Sequence, residues 1–177
     1  MAYAQRPAQN EYLEYYHRYI TRVPDGDVIA ILATQLEDTL TLLRDVSDER
    51  ALHAYAPGKW TIKEVIGHMG DVERVMSYRA LRFARGDQTS LPGFDENSWA
   101  PAGEFNRRPL ASLLAELASV RRGTISLLAG LPAGAWTRTG NANNAQVSVR
   151  ALAWIIAGHE LHHRELIATR YLAAPTP

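Results

Sequence analysis

The segment SVRALAWIIAGHELHHRELIATRYL, residues Ser148–Leu172, decides the fold class. Its apolar positions recur every three or four residues, as they do on the core-facing side of an amphipathic helix. Ile155 and Ile156 lie on this stripe, and His159 and His163 continue it. The pattern predicts one long helix with two histidines a single turn apart on its buried face.

Three earlier segments show the same helical period, at residues 28–46, about 62–85 and 109–128. Thr61 and Glu64 form a capping box before the second segment, and Asp27 can cap the first. The buried stripe of the third segment is expected to consist of Leu110, Leu113, Leu114, Leu117, Val120 and Leu127. No segment shows a convincing alternation of apolar and polar residues, the pattern typical of a β-strand, and the sequence contains no internal repeat. We therefore predict an all-α four-helix bundle with long connections and a short N-terminal helix within residues 11–21.

Length and composition indicate one domain. With 177 residues the chain can bury a single core, so we predict one domain over residues 1–177 with flexible ends at 1–10 and 173–177. Nineteen basic and nineteen acidic side chains cancel, so no global field attracts nucleic acid or a membrane surface. The N-terminal segment lacks the pattern of a signal peptide. We expect a cytoplasmic protein with no nucleic-acid or membrane partner.

The chain has no cysteine. This excludes disulfides, iron–sulfur clusters, thiolate zinc sites and a cysteine nucleophile. Any bound metal must therefore be held by histidines and carboxylates.

A third histidine interrupts the apolar face of an earlier helix. His68 lies on one stripe with Val72 and Met76. A divalent ion shared by His68, His159 and His163 would offset the cost of burying three imidazoles without partners. Neutral imidazoles suit zinc or nickel, and three of them leave at least one coordination position open. The alternative is that each is a core histidine with its own hydrogen bond.

His159, Glu160 and His163 also match the HExxH motif of zinc proteases, in which the glutamate polarises water. Those proteases need a third ligand downstream. After His163 the chain offers Glu165 as its one carboxylate and no further histidine. No strand is predicted beside the helix to bind a peptide. We therefore set the protease interpretation aside.

Five other residues have two open interpretations. Phe94, Asp95 and Trp99 lie in the long connection at residues 86–108, where they either shape a pocket at the open metal position or plug the core. Asp71 and Glu73 follow His68 and either orient ligands or solvate the helix.

The remaining histidines and the N-terminal tyrosines are less informative. His162 is either a surface residue or a group behind the ligands, and we favour the surface. His17 and His53 are isolated in sequence. A group of tyrosines in the first helix either forms a dimer surface or caps the core: Tyr12, Tyr15, Tyr16 and Tyr19.

Two motifs resemble the DinB family in its YfiT-like branch. They are WTIKEVIGH at residues 60–68, with Asp71 and Glu73 after it, and HELHH at residues 159–163. The likeness covers most of the chain, since three other segments resemble the family's connections: residues 91–99, 106–110 and 131–136.

The resemblance implies a metal-binding bundle of up-down-down-up type that often dimerises. It also implies His68, His159 and His163 as the metal ligands. Characterised relatives include enzymes that use bacillithiol or mycothiol, two low-molecular-weight thiols, for S-transfer or isomerisation.

Our main hypothesis from sequence is a metal-dependent transferase for such a thiol, acting on a small-molecule substrate. The sulfur must arrive with a cosubstrate because the chain has no cysteine. Two alternatives remain. The same site could support metal-assisted hydrolysis. The protein could instead be a non-catalytic homodimer whose metal ties two helices together.

Overall fold

The structure, a computed structural model, describes residues 5–173. Its α-helices are α1 (His17–Ile20), α2 (Val28–Leu43), α3 (Asp48–Ala51), α4 (Ile62–Ala84), α5 (Glu96–Ala102), α6 (Leu110–Ala129) and α7 (Val149–Leu166). Short 3-10 turns lie at Gln9–Glu11, Glu14–Tyr16, Phe105–Arg107 and Ala133–Ala135, and α7 continues as a π-helical turn, Ile167–Tyr171. Strands β1 (Thr139–Ala142) and β2 (Ala145–Ser148) form a hairpin. Of the ends predicted to be flexible, residues 1–4 and 174–177 lie outside the described part.

The long helices α2, α4, α6 and α7 form a four-helix bundle, as predicted. α2 packs against α6 and α7, and α4 packs against the same two helices, so α2 and α4 occupy opposite corners. One core cluster joins the end of α2, the starts of α4 and α6, and the turn after α7. The other joins the opposite ends of all four. α2 and α7 therefore run one way and α4 and α6 the other, which is the up-down-down-up order that the resemblance implies.

The predicted helix starts are confirmed by their caps. The side chain of Asp27 accepts a hydrogen bond from the backbone N–H of Ile29 at 2.9 Å. Thr61 accepts from the N–H of Glu64 at 3.1 Å, and the Glu64 carboxylate accepts from the N–H of Thr61 at 2.8 Å. These bonds satisfy backbone donors that a helix leaves free in its first turn.

The expectation that the chain contains no strand is wrong at residues 139–148. β1 and β2 pair antiparallel, and the turn between them is Asn143-Asn144, with φ of 54° and 62°. A two-residue turn with both residues in the left-handed backbone conformation matches the twist of the two strands that it joins. Asparagine adopts this conformation more readily than most residues. The backbone of Leu91 bonds to Asn141 and Asn143, so the hairpin holds the start of the long connection.

The buried face of α6 differs from the predicted stripe at Leu114, which is half-buried, and again in the second half of the helix. Val120 and Leu127 are only half-buried, whereas Arg121, Thr124 and Leu128 are buried. The buried face of α6 thus keeps the helical period, but two of its positions are polar, Arg121 and Thr124.

Within residues 5–173 no helix has both the length and the apolar composition that a membrane crossing requires.

Candidate metal centre

Three imidazoles meet between α4 and α7. Nε2 of His159 lies 3.1 Å from Nε2 of His68 and 3.1 Å from Nε2 of His163. One ring nitrogen of each residue lies within 4.8 Å of the others. His68 and His159 are 91 residues apart in sequence, so the tertiary fold assembles the cluster. The structure thus brings together the three rings that the sequence assigns to one site, and their role as metal ligands stays a prediction.

The cluster fits a divalent ion in spacing and in chemistry. Tetrahedral zinc, with Zn–N bonds of about 2.0–2.1 Å, separates its ligand nitrogens by about 3.3 Å, close to the spacing of these Nε2 atoms. Burial lowers the pKa of His68 to about 4. Burial, together with the neighbouring histidines, lowers the pKa of His159 and His163 well below the usual value. All three rings are therefore neutral at pH 7, the form in which imidazole binds metals.

Aromatic rings pack around the imidazoles. The centroid of Trp60 lies 4.7 Å from that of His68, and the centroid of Tyr19 lies 5.5 Å from that of His159. Nδ1 of His163 is buried without a hydrogen bond to any described residue. Packing against the neighbouring rings and the Nε2 contact with His159 hold this imidazole in its orientation.

Two glycines let neighbouring segments approach the histidine helices. Gly158 directly precedes His159, and a β-carbon there would lie 2.1 Å from the carbonyl oxygen of Tyr19. Gly67 in α4 has the same function, since its β-carbon would lie 2.3 Å from the ring of Phe105. Distances this short exclude a side chain. The histidines can therefore be covered closely by segments from outside the four long helices.

The Glu160 carboxylate contacts a buried network of charged and polar groups, and its partners are not the histidines of the cluster. Its Oε1 accepts a hydrogen bond from the Thr39 hydroxyl at 2.6 Å, and its Oε2 forms a 2.5 Å ion pair with Arg121. Arg121 also donates two 2.8 Å hydrogen bonds to Glu73 and one of 2.9 Å to the carbonyl of Leu32. This engagement agrees with the rejection of a protease, because Glu160 is not free to act as a base.

The same network settles the two interpretations of Glu73. Its side chain is 3% exposed, so it does not solvate the helix, and the group that it contacts is Arg121, not a histidine of the cluster. Burial opposes the charge of Arg121, but Glu160 and Glu73 raise its pKa above the ordinary value. Asp71 is half-buried and pairs with Arg74 at 3.5 Å on the helix surface.

A cavity of about 350 Å³ opens beside the cluster, and its wall includes His68 and His159. Three of the N-terminal tyrosines, Tyr15, Tyr16 and Tyr19, also line it, together with Phe94. Pockets of about 300–1,000 Å³ are typical for small organic ligands. The arrangement places two neutral imidazoles in reach of a small molecule.

The residues of the long connection have different positions. Phe94 lines the cavity. Asp95 caps α5 by accepting from the N–H of Asn97 at 3.0 Å. Trp99 packs on Phe94 with ring centroids 4.9 Å apart and is 42% exposed, so it is not a core plug.

The other histidines lie outside the cluster. His162 is half-buried and packs edge-on against Tyr19 and His163. His17 contacts the Tyr12 hydroxyl through Nδ1 at 3.2 Å. His53 is exposed.

The four tyrosines of the N-terminal segment differ in burial, and Tyr16 is half-buried. Tyr12 and Tyr19 are buried, which supports the interpretation that they cap the core. Tyr15 is 53% exposed and also lies at the cavity wall. The sequence analysis did not predict that Tyr15, Tyr16 and Tyr19 line the cavity.

Arg79 is a cavity residue that the sequence analysis missed. It lies in α4, three residues after Met76, and lines the cavity with His68. Its spacing from His68, about three helical turns, places it on the same face. That spacing was the signal available in the sequence.

The fold and the site together define a four-helix bundle with a three-histidine cluster shared by two antiparallel helices. The chain belongs to the DinB superfamily, whose family model matches residues 31–167.

Two bacterial proteins are similar to this chain over most of its length, and both are named "Putative metal-dependent hydrolase". The protein of Oceanobacillus iheyensis is 26% identical over 149 residues, which cover 78% of this chain and 86% of the relative. That of Geobacillus kaustophilus is 23% identical over 143 residues, covering 80% of each chain.

Two solved structures are similar in fold. YfiT from Bacillus subtilis, described as a probable metal-dependent hydrolase with an unusual four-helix bundle topology, matches with a TM-score of 0.67 at 17% identity, over 93% of this chain and 90% of YfiT. A mycothiol-dependent maleylpyruvate isomerase matches with a TM-score of 0.66 at 12% identity, over 89% of this chain and 64% of the isomerase.

Proposed function

We propose that the protein is a metal-dependent enzyme that transfers a low-molecular-weight thiol to a small electrophile. One observation carries the proposal: three buried, neutral imidazoles bring ring nitrogens to ligand spacing, and two of them, His68 and His159, line a cavity of about 350 Å³. A cluster with this burial and access is typical of a catalytic metal site.

His68, His159 and His163 are the proposed ligands, and zinc or nickel is the proposed ion. When bound, a divalent cation supplies positive charge that lowers the pKa of a neighbouring thiol or water. The three neutral rings leave that charge undiminished. Trp60 and Tyr19 pack against the rings and limit the access of bulk water, which strengthens electrostatic effects at the site.

The engagement of Glu160 favours a thiol over water as the nucleophile. Hydrolysis by a zinc site of the HExxH kind uses the glutamate as a base for the attacking water, and here Arg121 and Thr39 hold that carboxylate. A thiol is far more acidic than water and needs no such base. In the transfer, sulfur bonds to an electrophilic carbon, the leaving group departs with its electron pair, and the thiol proton passes to solvent. The mycothiol dependence of the structurally similar isomerase supports this class of cosubstrate.

Metal-assisted hydrolysis is the second candidate. The names of the two bacterial relatives and the description of YfiT favour it. It would use the same three histidines, with a base other than Glu160.

The first experiment measures metal content and activity together. Protein reconstituted with zinc or nickel should hold about one ion per chain and consume an activated electrophile, such as chlorodinitrobenzene, only when a thiol is added. His68→Ala should lose the ion and the activity. His53→Ala is the matched control, because His53 is exposed and outside the cluster, and it should retain both.

The outcomes separate the candidates. If the protein cleaves an ester or amide at a rate that does not depend on added thiol, the transferase is rejected and hydrolysis is supported. A tightly held ion that only raises thermal stability, without turnover in either assay, would support the non-catalytic binding protein.

We also propose that the chain is a single domain that forms a homodimer. The exposed Tyr15 and Leu13, at 53% and 40%, lie in the N-terminal segment and offer apolar surface for pairing. Sedimentation equilibrium of the full chain should give twice the mass of the 19.7 kDa chain, and a monomer at all concentrations would reject the dimer.

A further inference from the structure

Arg79 is the buried cation at the far end of the cavity from the histidine cluster. It lies on α4 eleven residues after His68, which is about three turns and about 16 Å along the helix axis. Both residues line the same cavity. On α4 itself, the residues between them that line the cavity are apolar, namely Val72 and Met76. A molecule that touched both ends would need a polar group at each end and an apolar middle.

Within the described part of the chain, the charge of Arg79 has no carboxylate partner. The residue is 3% exposed. Its guanidinium donates to the carbonyl of Pro92 at 2.7 Å, contacts the sulfur of Met76 at 3.7 Å and bonds to the Tyr16 hydroxyl. Among residues 5–173, no carboxylate lies within 4.0 Å of it; Glu96 lines the cavity but forms no such pair.

This isolation is unusual for a buried arginine. Arg121, the buried arginine of α6, is paired with two carboxylates. An unpaired charge inside a protein is costly, and burial lowers the pKa of Arg79. A guanidinium has five N–H donors in a planar fork that fits a carboxylate, and the neutral partners of Arg79 do not use all of them.

We propose that Arg79 binds the carboxylate of the substrate or cosubstrate, so that the enzyme acts on elongated organic acids whose reacting end reaches the three histidines. Phe94, whose ring centroid lies 5.8 Å from the guanidinium carbon, covers the arginine. The ligand is a molecule with several carbon atoms between its two ends, because a small anion such as acetate cannot span the apolar wall. This inference rests on the proposed function for the reacting end, whereas the carboxylate site stands on Arg79 alone.

The test uses nickel-loaded protein and mercaptoalkanoic acids of increasing length, with the mercapto-alcohol of equal length as the neutral control. Binding is followed by the sulfur-to-nickel charge-transfer absorption. For chains long enough to reach Arg79, the acid should bind about 10- to 100-fold more tightly than the alcohol, as expected of a charge-assisted hydrogen bond. Arg79→Gln should abolish this ratio, and Arg79→Lys should restore part of it.

Arg82→Gln is the matched control. Arg82 lies on the same helix, but it is paired with Asp87 and does not line the cavity, so the ratio should be unchanged. A purely structural role of Arg79, as the donor to Pro92, would weaken acid and alcohol equally and leave the ratio intact. That result, or equal affinities in the wild type, would overturn the proposal.

A second measurement separates the two proposals. Calorimetric titration of the metal-free protein with octanoate and with octanol reports on the Arg79 site without any metal. A preference for octanoate that Arg79→Gln removes supports the carboxylate site, even if no thiol gives a charge-transfer band and the transferase fails. Absence of that preference overturns the carboxylate site, even if the histidines bind nickel.

Discussion

Arg121→Met should destabilise the metal-free protein by about 3–5 kcal/mol, because it leaves two buried carboxylates without a counter-charge. The side chains of Arg121, Glu73 and Glu160 are 2%, 3% and 3% exposed. The variant loses two hydrogen bonds to Glu73, the ion pair with Glu160 and the bond to the carbonyl of Leu32. For a chain of this length the loss corresponds to a fall in Tm of roughly 6–20 °C.

The size of this effect should depend on pH. Without the guanidinium, the pKa of each stranded carboxyl in the folded variant rises above the unfolded value of about 4.3. The folded variant then binds more protons than the unfolded chain, so its stability falls as the pH rises from about 4 to 7. The difference between wild type and Arg121→Met should therefore be larger at pH 7 than at pH 5.

Urea unfolding, followed by far-ultraviolet circular dichroism at both pH values, measures this prediction. The triple variant Arg121→Met, Glu73→Gln, Glu160→Gln removes the stranded charges and should recover part of the lost stability. The reasoning is refuted if Arg121→Met costs less than about 1 kcal/mol at pH 7. It is also refuted if the triple variant is no more stable than the single one.

Three further predictions follow from the site. Glu160→Gln should keep thiol-dependent kcat/KM within about tenfold of the wild type, whereas loss of a general base would cost about 100- to 10,000-fold. Because the folded pKa of His68 is lowered to about 4, this residue alone should cost the metal-free protein about 3 kcal/mol as the pH falls from 6.5 to 4, and His68→Gln should remove that share of the pH dependence in urea titrations. Gly158→Ala should destabilise by about 1–3 kcal/mol in thermal unfolding because its β-carbon meets the backbone of Tyr19. Gly123→Ala, at an open position of α6, should instead be neutral or stabilising, and equal effects of the two would contradict the packing argument.

The helices and the histidine cluster could be predicted because both follow the helical period. His68, His159 and His163 stand at positions that the apolar stripe would otherwise fill, so their inward direction follows from spacing alone. Caps such as Asp27 are local, and the sequence around them contains the whole interaction. The order of the helices, by contrast, came from the family resemblance, since helical period does not specify which helices are neighbours.

The buried charge network and the hairpin could not be predicted for different physical reasons. Arg121 and Thr39 occupy core positions, but a polar residue on a buried face is recognisable only when its partner is known, and these partners lie on other helices. The hairpin strands are four residues long, too short for alternation to be distinguished from a polar loop. Its turn residues, Asn143 and Asn144, were the available signal.

The separation of the proposed ligands along the chain links metal binding to the order of folding. His159 and His163 can offer two ligands to an ion as soon as α7 becomes helical. His68 lies 91 residues before His159, so it can join them only after α4 has packed against α7. The coordination number of an added cobalt or nickel ion would therefore report, during refolding, the moment at which these two helices dock. The absorption change of the bound ion would then measure the rate at which α4 docks against α7. No attached label would be needed, which is useful because the chain has no cysteine for labelling.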